Sequence, residues 1–150
     1  QLVNNQGCDP VPIAQKLLAT MAKVYQHKRI RVRLLHDDEL LFRGEQDDLF
    51  ELLGNLLDNA HKFAISEICL ELRHVSTGLL IRVSDDGPGV PEELRARILQ
   101  RGVRADNSSG QGIGLGVCSE IVHSYHGQLQ VGDSELGGAC FSILLPDRTG

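Results

Sequence analysis

The sequence predicts an α/β (α+β) two-layer sandwich, a mixed, mostly antiparallel sheet with helices on one face. Three observations carry that reading. Apolar residues recur at helical spacing in three separate stretches. The strand-like runs come mostly as neighbouring hairpins rather than one after each helix, which disfavours a doubly wound parallel sheet. The chain has 150 residues, 41% of them apolar, enough for one domain with a real core.

Asp9-Pro10 opens the first helix, and "PVPIAQKLLATMAKVYQ" (10–26) carries a stripe of Ile13, Leu17, Leu18, Met21 and Val24. "RIRVRLL" alternates apolar and basic residues, which predicts a half-buried strand with Ile30, Val32 and Leu34 inward. "ELLFRG" reads as a second short strand after an "HDD" turn. Residues 45–63 form a long helix with acidic residues in its first turn, where the helix dipole favours them. "EICLELRHV" and "GLLIRVSD" make a hairpin across "STG". "PEELRARI" starts a short helix with Pro and two Glu. Residues 100–112 are a polar, glycine-rich loop. Helical periodicity returns through Leu115, Cys118, Ile121, Val122 and Tyr125, and Gly127 is expected to stop it. Two strands around a Gly-Gly turn, "QLQVGDSELGGACFSILLP", follow.

Composition narrows the function classes. A net charge of −5 with few aromatics argues against nucleic-acid binding, and "HKRIRVR" reads as a solvated strand edge. The four cysteines, Cys8, Cys69, Cys118 and Cys140, form no CxxC and no zinc spacing. The last three sit in apolar contexts and read as buried thiols in a reducing compartment. No stretch approaches the ~20 apolar residues of a membrane span. The first residues lack a signal-peptide layout and a starting Met, which reads as a single domain (1–150) cut from a longer protein. The six histidines read as turn, surface or helix-end residues.

Three constellations carry chemistry. Glu51, Asn55, Asn59 and Lys62 are spaced by four, four and three, so they share one helix face within an arc of roughly 80°. A solvated polar stripe is the bland explanation. Asn is a poor helix former, however, and amide oxygens suit Mg²⁺ while lysine suits phosphate. "GQGIGLG" (110–116) puts glycines and free N–H groups at a helix start, a phosphate-binding arrangement, although a flexible loop with an ordinary cap also fits. No GxxxxGK[ST] occurs, and no βαβ unit surrounds the glycines. In "SDDGPGVP" (84–91), Asp85 ends a strand beside Gly87 and Gly89. A carboxylate there can accept an N–H donor from a flat ring, or simply cap its own turn. Asp86 next to it is expected in solvent.

In this order the three resemble one family, the GHKL-type ATP-binding (Bergerat-fold) catalytic domain of bacterial two-component sensor histidine kinases. "ELLGNLLDNAHKF" resembles its N box, "DDGPG" its G1 box, "GQGIGLG" its G2 box, and "LGGACFSILLP" its closing strand. "RGVRAD" with "GQGIGL" looks most like the PhoQ type. The resemblance implies ATP and Mg²⁺ as ligands. Asn55 then coordinates Mg²⁺, and Asn59 and Lys62 contact the triphosphate. Asp85 accepts from the adenine amine, Gly87 and Gly89 shape the pocket, and Phe63, Val90 and Leu115 wall it. Residues 96–110 become the ATP lid, with Arg104 reaching phosphate. Gln111 completes the Mg²⁺ shell, and Gly112 and Gly114 offer N–H groups. Glu51 orients ligands, or activates water as in ATP-hydrolysing relatives.

The resemblance further implies transfer of the γ-phosphoryl of ATP to a histidine on a separate dimerisation domain of the same protein, then a response regulator. The parent is expected to be an inner-membrane homodimer with this domain cytoplasmic and, alone, monomeric. No histidine here resembles the phosphoacceptor. Departures are Phe63 where tyrosine is usual, Leu99 where an aromatic precedes the lid, and no second lid arginine, a place Arg101 could take. The rival readings are a serine kinase or ATPase of the same superfamily and a non-catalytic partner-binding module.

Overall fold

A computed structural model of the chain describes residues 7–100 and 115–147. In order these form α1 (Pro10–Val24), a 3₁₀ turn (Gln26–Lys28), β1 (Arg31–His36), α2 (Gln46–Phe63), β2 (Glu67–Val75), β3 (Gly78–Asp85), α3 (Glu92–Ile98), α4 (Gly116–Ser124), β4 (Gln128–Asp133) and β5 (Ala139–Pro146). The strands make one sheet in the order β1-β2-β3-β5-β4. Only β1 and β2 run parallel, and the other neighbours are antiparallel. This is the expected two-layer sandwich.

The core lies where leucines of α2 meet the alternating face of the sheet. Leu49, Leu52, Leu53, Leu56 and Leu57 of α2 are buried against Leu79, Ile81 and Val83 of β3 and Phe141, Ile143 and Leu145 of β5. Burying each such side chain is worth about 1.5–3 kcal/mol. α2 also packs on α1 and α4, so it is the central helix of its layer. Asp9 caps α1 by accepting from the Val11 N–H at 2.9 Å, with Pro10 at the first turn. The α1 stripe sinks Ile13, Ala14 and Leu17, but Val24 at its end stands 58% exposed.

The opposite face of the sheet carries charge. Glu71 receives Arg73 and Arg82, and Arg73 also reaches Asp37. These partly exposed pairs stabilise little. Cys140 lies on this side and is half-buried, not buried as expected, whereas Cys69 and Cys118 are buried.

Three further expectations change. "ELLFRG" forms no strand: Phe42 makes one antiparallel bridge, to Cys8, with N–H···O distances of 2.9 and 2.7 Å. Its alternation is real, with Leu40 and Phe42 buried between exposed neighbours, yet its backbone bridges to Cys8 and is not among the strands of the sheet. The left-handed residue that ends α4 is His126 (φ 61°), one before the glycine expected to stop it. His61 does lie at a helix end, but of the surface or helix-end reading the surface alternative fails, since it is 2% exposed.

His61 belongs to a fastening at the C-terminal end of α2. Its Nδ1–H donates to the Leu57 carbonyl at 2.7 Å, which fixes the tautomer, since a carbonyl only accepts. The Tyr25 ring stacks on it with centroids 5.5 Å apart, and the Tyr25 hydroxyl donates to Asp58 at 2.6 Å. Lys28 Nζ donates to the carbonyls of His61 and Lys62, both at 2.8 Å. A cation on those orphan carbonyls complements the negative end of the helix. Burial holds His61 below the ordinary imidazole value of 6.5, helped by Lys28 and opposed by the Leu57 carbonyl and Asp58. A depressed folded value means that the unfolded chain takes the proton first. The stability His61 contributes is therefore present above pH 6.5 and lost as pH falls. In denaturant titrations between pH 7 and 5, His61→Leu is expected to lose less stability on acidification than wild type; parallel curves would contradict the assignment.

Candidate functional site

β3 carries its alternation one residue further than hydrophobicity does. Leu79, Ile81, Val83 and Asp85 all point to the helix layer, so a period of two puts a carboxylate at a core position, 3% exposed. Such a group needs hydrogen bonds. Its Oδ1 accepts from the Gly87 N–H at 2.8 Å and the Ala139 N–H at 3.3 Å. Both donations fall on Oδ1, and among the described residues no donor reaches Oδ2. Burial pushes the Asp85 carboxyl above the ordinary 3.8, against those two bonds and with help from the Asp86 charge. Ionised Asp85 is thus a cost to the empty fold. Its contribution to stability is present below pH 3.8 and lost as pH rises through the raised value.

Beside Asp85 opens a cavity of about 210 Å³ lined by Asn59, Phe63, Asp85, Pro88, Gly89, Val90, Ala139 and Phe141. Its walls are mostly apolar, with one buried amide and one buried carboxylate among them, the usual composition of a small-molecule site. Close backbone approach makes this possible. A Cβ at Gly87 would collide with the Phe63 carbonyl, and one at Gly138 with Asp85 Oδ1 and the Gly87 nitrogen. The loop after β3 is held at its far end by Arg95 of α3, whose Nε donates to the Val90 carbonyl at 2.9 Å while Nη2 meets Asp133 at 2.7 Å.

Asp86 is not the solvent-exposed residue expected. It accepts from the Ile65 N–H at 2.8 Å, the Ser66 N–H at 3.0 Å and the Ser66 hydroxyl at 2.8 Å. Burial pushes its carboxyl up, but hydrogen bonds from Ser66, Glu67 and Ile65 outweigh it and bring the value down to about 2.

Of the residues singled out in the sequence, Asn59, Phe63, Asp85, Gly89 and Val90 meet on this cavity, and Gly87 shapes its floor. Asn59 is 6% exposed, so the polar stripe of α2 turns inward there. Asn55 and Glu51 are exposed, one and two turns back along the helix, about 6 and 12 Å of axial rise from Asn59. Lys62 is exposed near the other end of α2. This gives a buried ring-sized cavity beside an outward row of acid, amide and ammonium. Leu115 is buried at the start of α4, donating its N–H to the Ile98 carbonyl at 2.8 Å, and is not among the cavity walls. Ser119 Oγ donates to the Leu99 carbonyl nearby. Arg101, Arg104, Gln111, Gly112 and Gly114, with most of the expected lid, lie outside the described residues. Pro88, Gly138, Ala139 and Phe141 are further members of the site. Gly138 to Phe141 stand in the quoted "LGGACFSILLP", whose pairing with β3 was the missing signal. Among the described residues no cluster of His, Cys, Asp and Glu could hold a metal by itself.

Comparison with known proteins agrees with this geometry. The family of histidine kinase-, DNA gyrase B-, and HSP90-like ATPases matches residues 44–149. The two-component sensor PhoQ of Pseudomonas aeruginosa is 44% identical over 88% of this chain and 30% of its own length. The sensor protein PhoQ of Escherichia coli K12 is 40% identical over 89% of this chain and 28% of its own. The chain thus spans under a third of these relatives. Among solved structures, the catalytic domain of histidine kinase ThkA superposes with a TM-score of 0.80 at 22% identity, covering 90% of each chain. Full-length ShkA in complex with AMPPNP gives 0.80 at 26% identity, covering 96% of this chain and 31% of its own. The chain belongs to the histidine kinase-, DNA gyrase B-, and HSP90-like ATPase family, as a catalytic domain homologous to PhoQ-type sensor histidine kinases.

Proposed function

We propose that this chain binds ATP·Mg²⁺ and passes the γ-phosphoryl to a histidine on an adjoining dimerisation domain, from which a response regulator takes it. One observation supports this above the others: a buried carboxylate with one oxygen unmatched by any described donor, on a ring-sized apolar cavity. Adenine fits that chemistry. Its exocyclic amine donates to Asp85 Oδ2, while Phe63, Val90 and Phe141 cover its faces. Gly87, Gly89 and Gly138 admit the ring edge close to backbone.

The triphosphate then leaves the cavity along α2. Asn59 and Lys62 bind it, with Arg104 and the N–H groups of Gly112 and Gly114 on its other side. The exposed Asn55 amide and Gln111 supply neutral oxygen ligands to Mg²⁺, which would draw off phosphate charge when bound. Glu51 orients this shell rather than serving as base, since the acceptor histidine is itself the nucleophile. Among the described residues no helix is long and apolar enough to cross a membrane.

The experiment is direct. Calorimetric titration should show Mg²⁺-dependent ATP binding by wild type. Asp85→Ala should weaken it by about 10- to 100-fold, since hydrogen bonds to charged groups are worth about 1.5–3 kcal/mol. Binding should also weaken as pH falls through the raised Asp85 value, because the protonated oxygen no longer accepts. Unchanged affinity in Asp85→Ala would refute the base-reading role. Supplied in trans with a histidine-bearing dimerisation domain, wild type should form acid-labile phosphohistidine, and Asn55→Asp should lower the rate at least about tenfold. Phosphate release without phosphohistidine would favour the ATPase reading through Glu51.

A further inference from the structure

The β2–β3 ladder ends at the pair Ile68 and Asp85. One residue later the chain turns away, and Asp86 takes over the pairing with its side chain. Its two oxygens receive the N–H groups of Ile65 and Ser66 and the Ser66 hydroxyl, at 2.8 to 3.0 Å. Those donors sit on the short connection that leaves α2 directly after Phe63. Asp86 therefore ties together two walls of one cavity. On one side stand Asn59 and Phe63, and on the other Asp85 and the loop that follows it.

The tie is short and stiff. Gly87, next in the chain, donates to Asp85 Oδ1 at 2.8 Å and has no room for a Cβ against the Phe63 carbonyl. Slack introduced at Asp86 is passed to the Gly87 N–H and from there to the Asp85 carboxylate. We propose that Asp86, which does not line the cavity, is a positioning residue that sets the gap between the Phe63 wall and the Asp85 acceptor and so governs how well the base is read. This rests on the nucleotide-binding reading above. A rigid tie matters because a misplacement of about 1 Å at a recognising group weakens a hydrogen bond that depends on both distance and angle.

The test compares ATP with purine riboside 5′-triphosphate, which lacks the exocyclic amine, on wild type, Asp86→Ala and Asp86→Asn, with thermal unfolding followed in parallel. Wild type should prefer ATP by about tenfold or more. Asp86→Ala should cut that preference by about fivefold, with most of the loss in ATP affinity. Asp86→Asn keeps an oxygen for the two N–H groups and should stay within about threefold of the wild-type preference. A variant that is merely less folded loses apparent affinity for both nucleotides by the same factor and leaves their ratio alone. An unchanged ratio in Asp86→Ala, with or without destabilisation, would overturn the proposal. A wild type that binds neither nucleotide would instead overturn the reading on which it rests.

Discussion

The site depends on one costly placement: an aspartate at a core position. The period of β3 brings Asp85 into line with Leu79, Ile81 and Val83, so the carboxylate faces the helix layer instead of water. Burial raises its proton affinity, and two backbone N–H groups on one oxygen offset part of that cost. Much of the surrounding structure serves these contacts. Gly87 and Gly138 lack side chains where a Cβ would push the donors away. β5 lies beside β3 in the register that delivers the Ala139 N–H. Among the described residues no donor takes the second oxygen, so a donor that fills the cavity would add to the stability of the domain by ordinary mass action.

α2 holds the other half of the arrangement. Its leucines bury the helix in the sandwich, and that fixes where its polar stripe lies. Asn59 turns inward while Asn55, Glu51 and Lys62 remain in solvent. Lys28, Tyr25 and the buried His61 secure the end of the helix from which Lys62 projects. On the proposed function, base recognition is dry and geometric, whereas phosphate and metal chemistry takes place at an open surface. Such a division would suit the proposed transfer, in which a side chain from another domain reaches the γ-phosphoryl.

Much of this was legible in the sequence because periodicity carries it. The α2 stripe and the β3 alternation run over enough residues to reveal their faces; the alternation puts Asp85 at a buried strand end, whereas the stripe grouped Asn59 with the outward residues Glu51, Asn55 and Lys62 although it is buried. Short-range signals fared worse. "ELLFRG" alternates like a strand, but what its backbone pairs with is a tertiary fact, and Phe42 bridges to Cys8 instead of joining the sheet. Asp86 and His61 look polar and therefore exposed. Their partners lie 20 residues away for Asp86 and in the Tyr25 and Lys28 region for His61, and no local pattern points to either. Gly138 and Phe141 join the site only because β5 inserts between β3 and β4, a strand order the sequence leaves open.

On the proposed function, Asp85 reads the base in the cavity between α2 and the end of β3. A crystal structure of the chain with ADP and Mg²⁺ tests it most directly. The purine should lie between Phe63 and Val90, its exocyclic amine within hydrogen-bond distance of Asp85 Oδ2, with the phosphates running toward Asn55 and Lys62. A nucleotide bound elsewhere, or in the cavity with its amine turned away from Asp85, would contradict it.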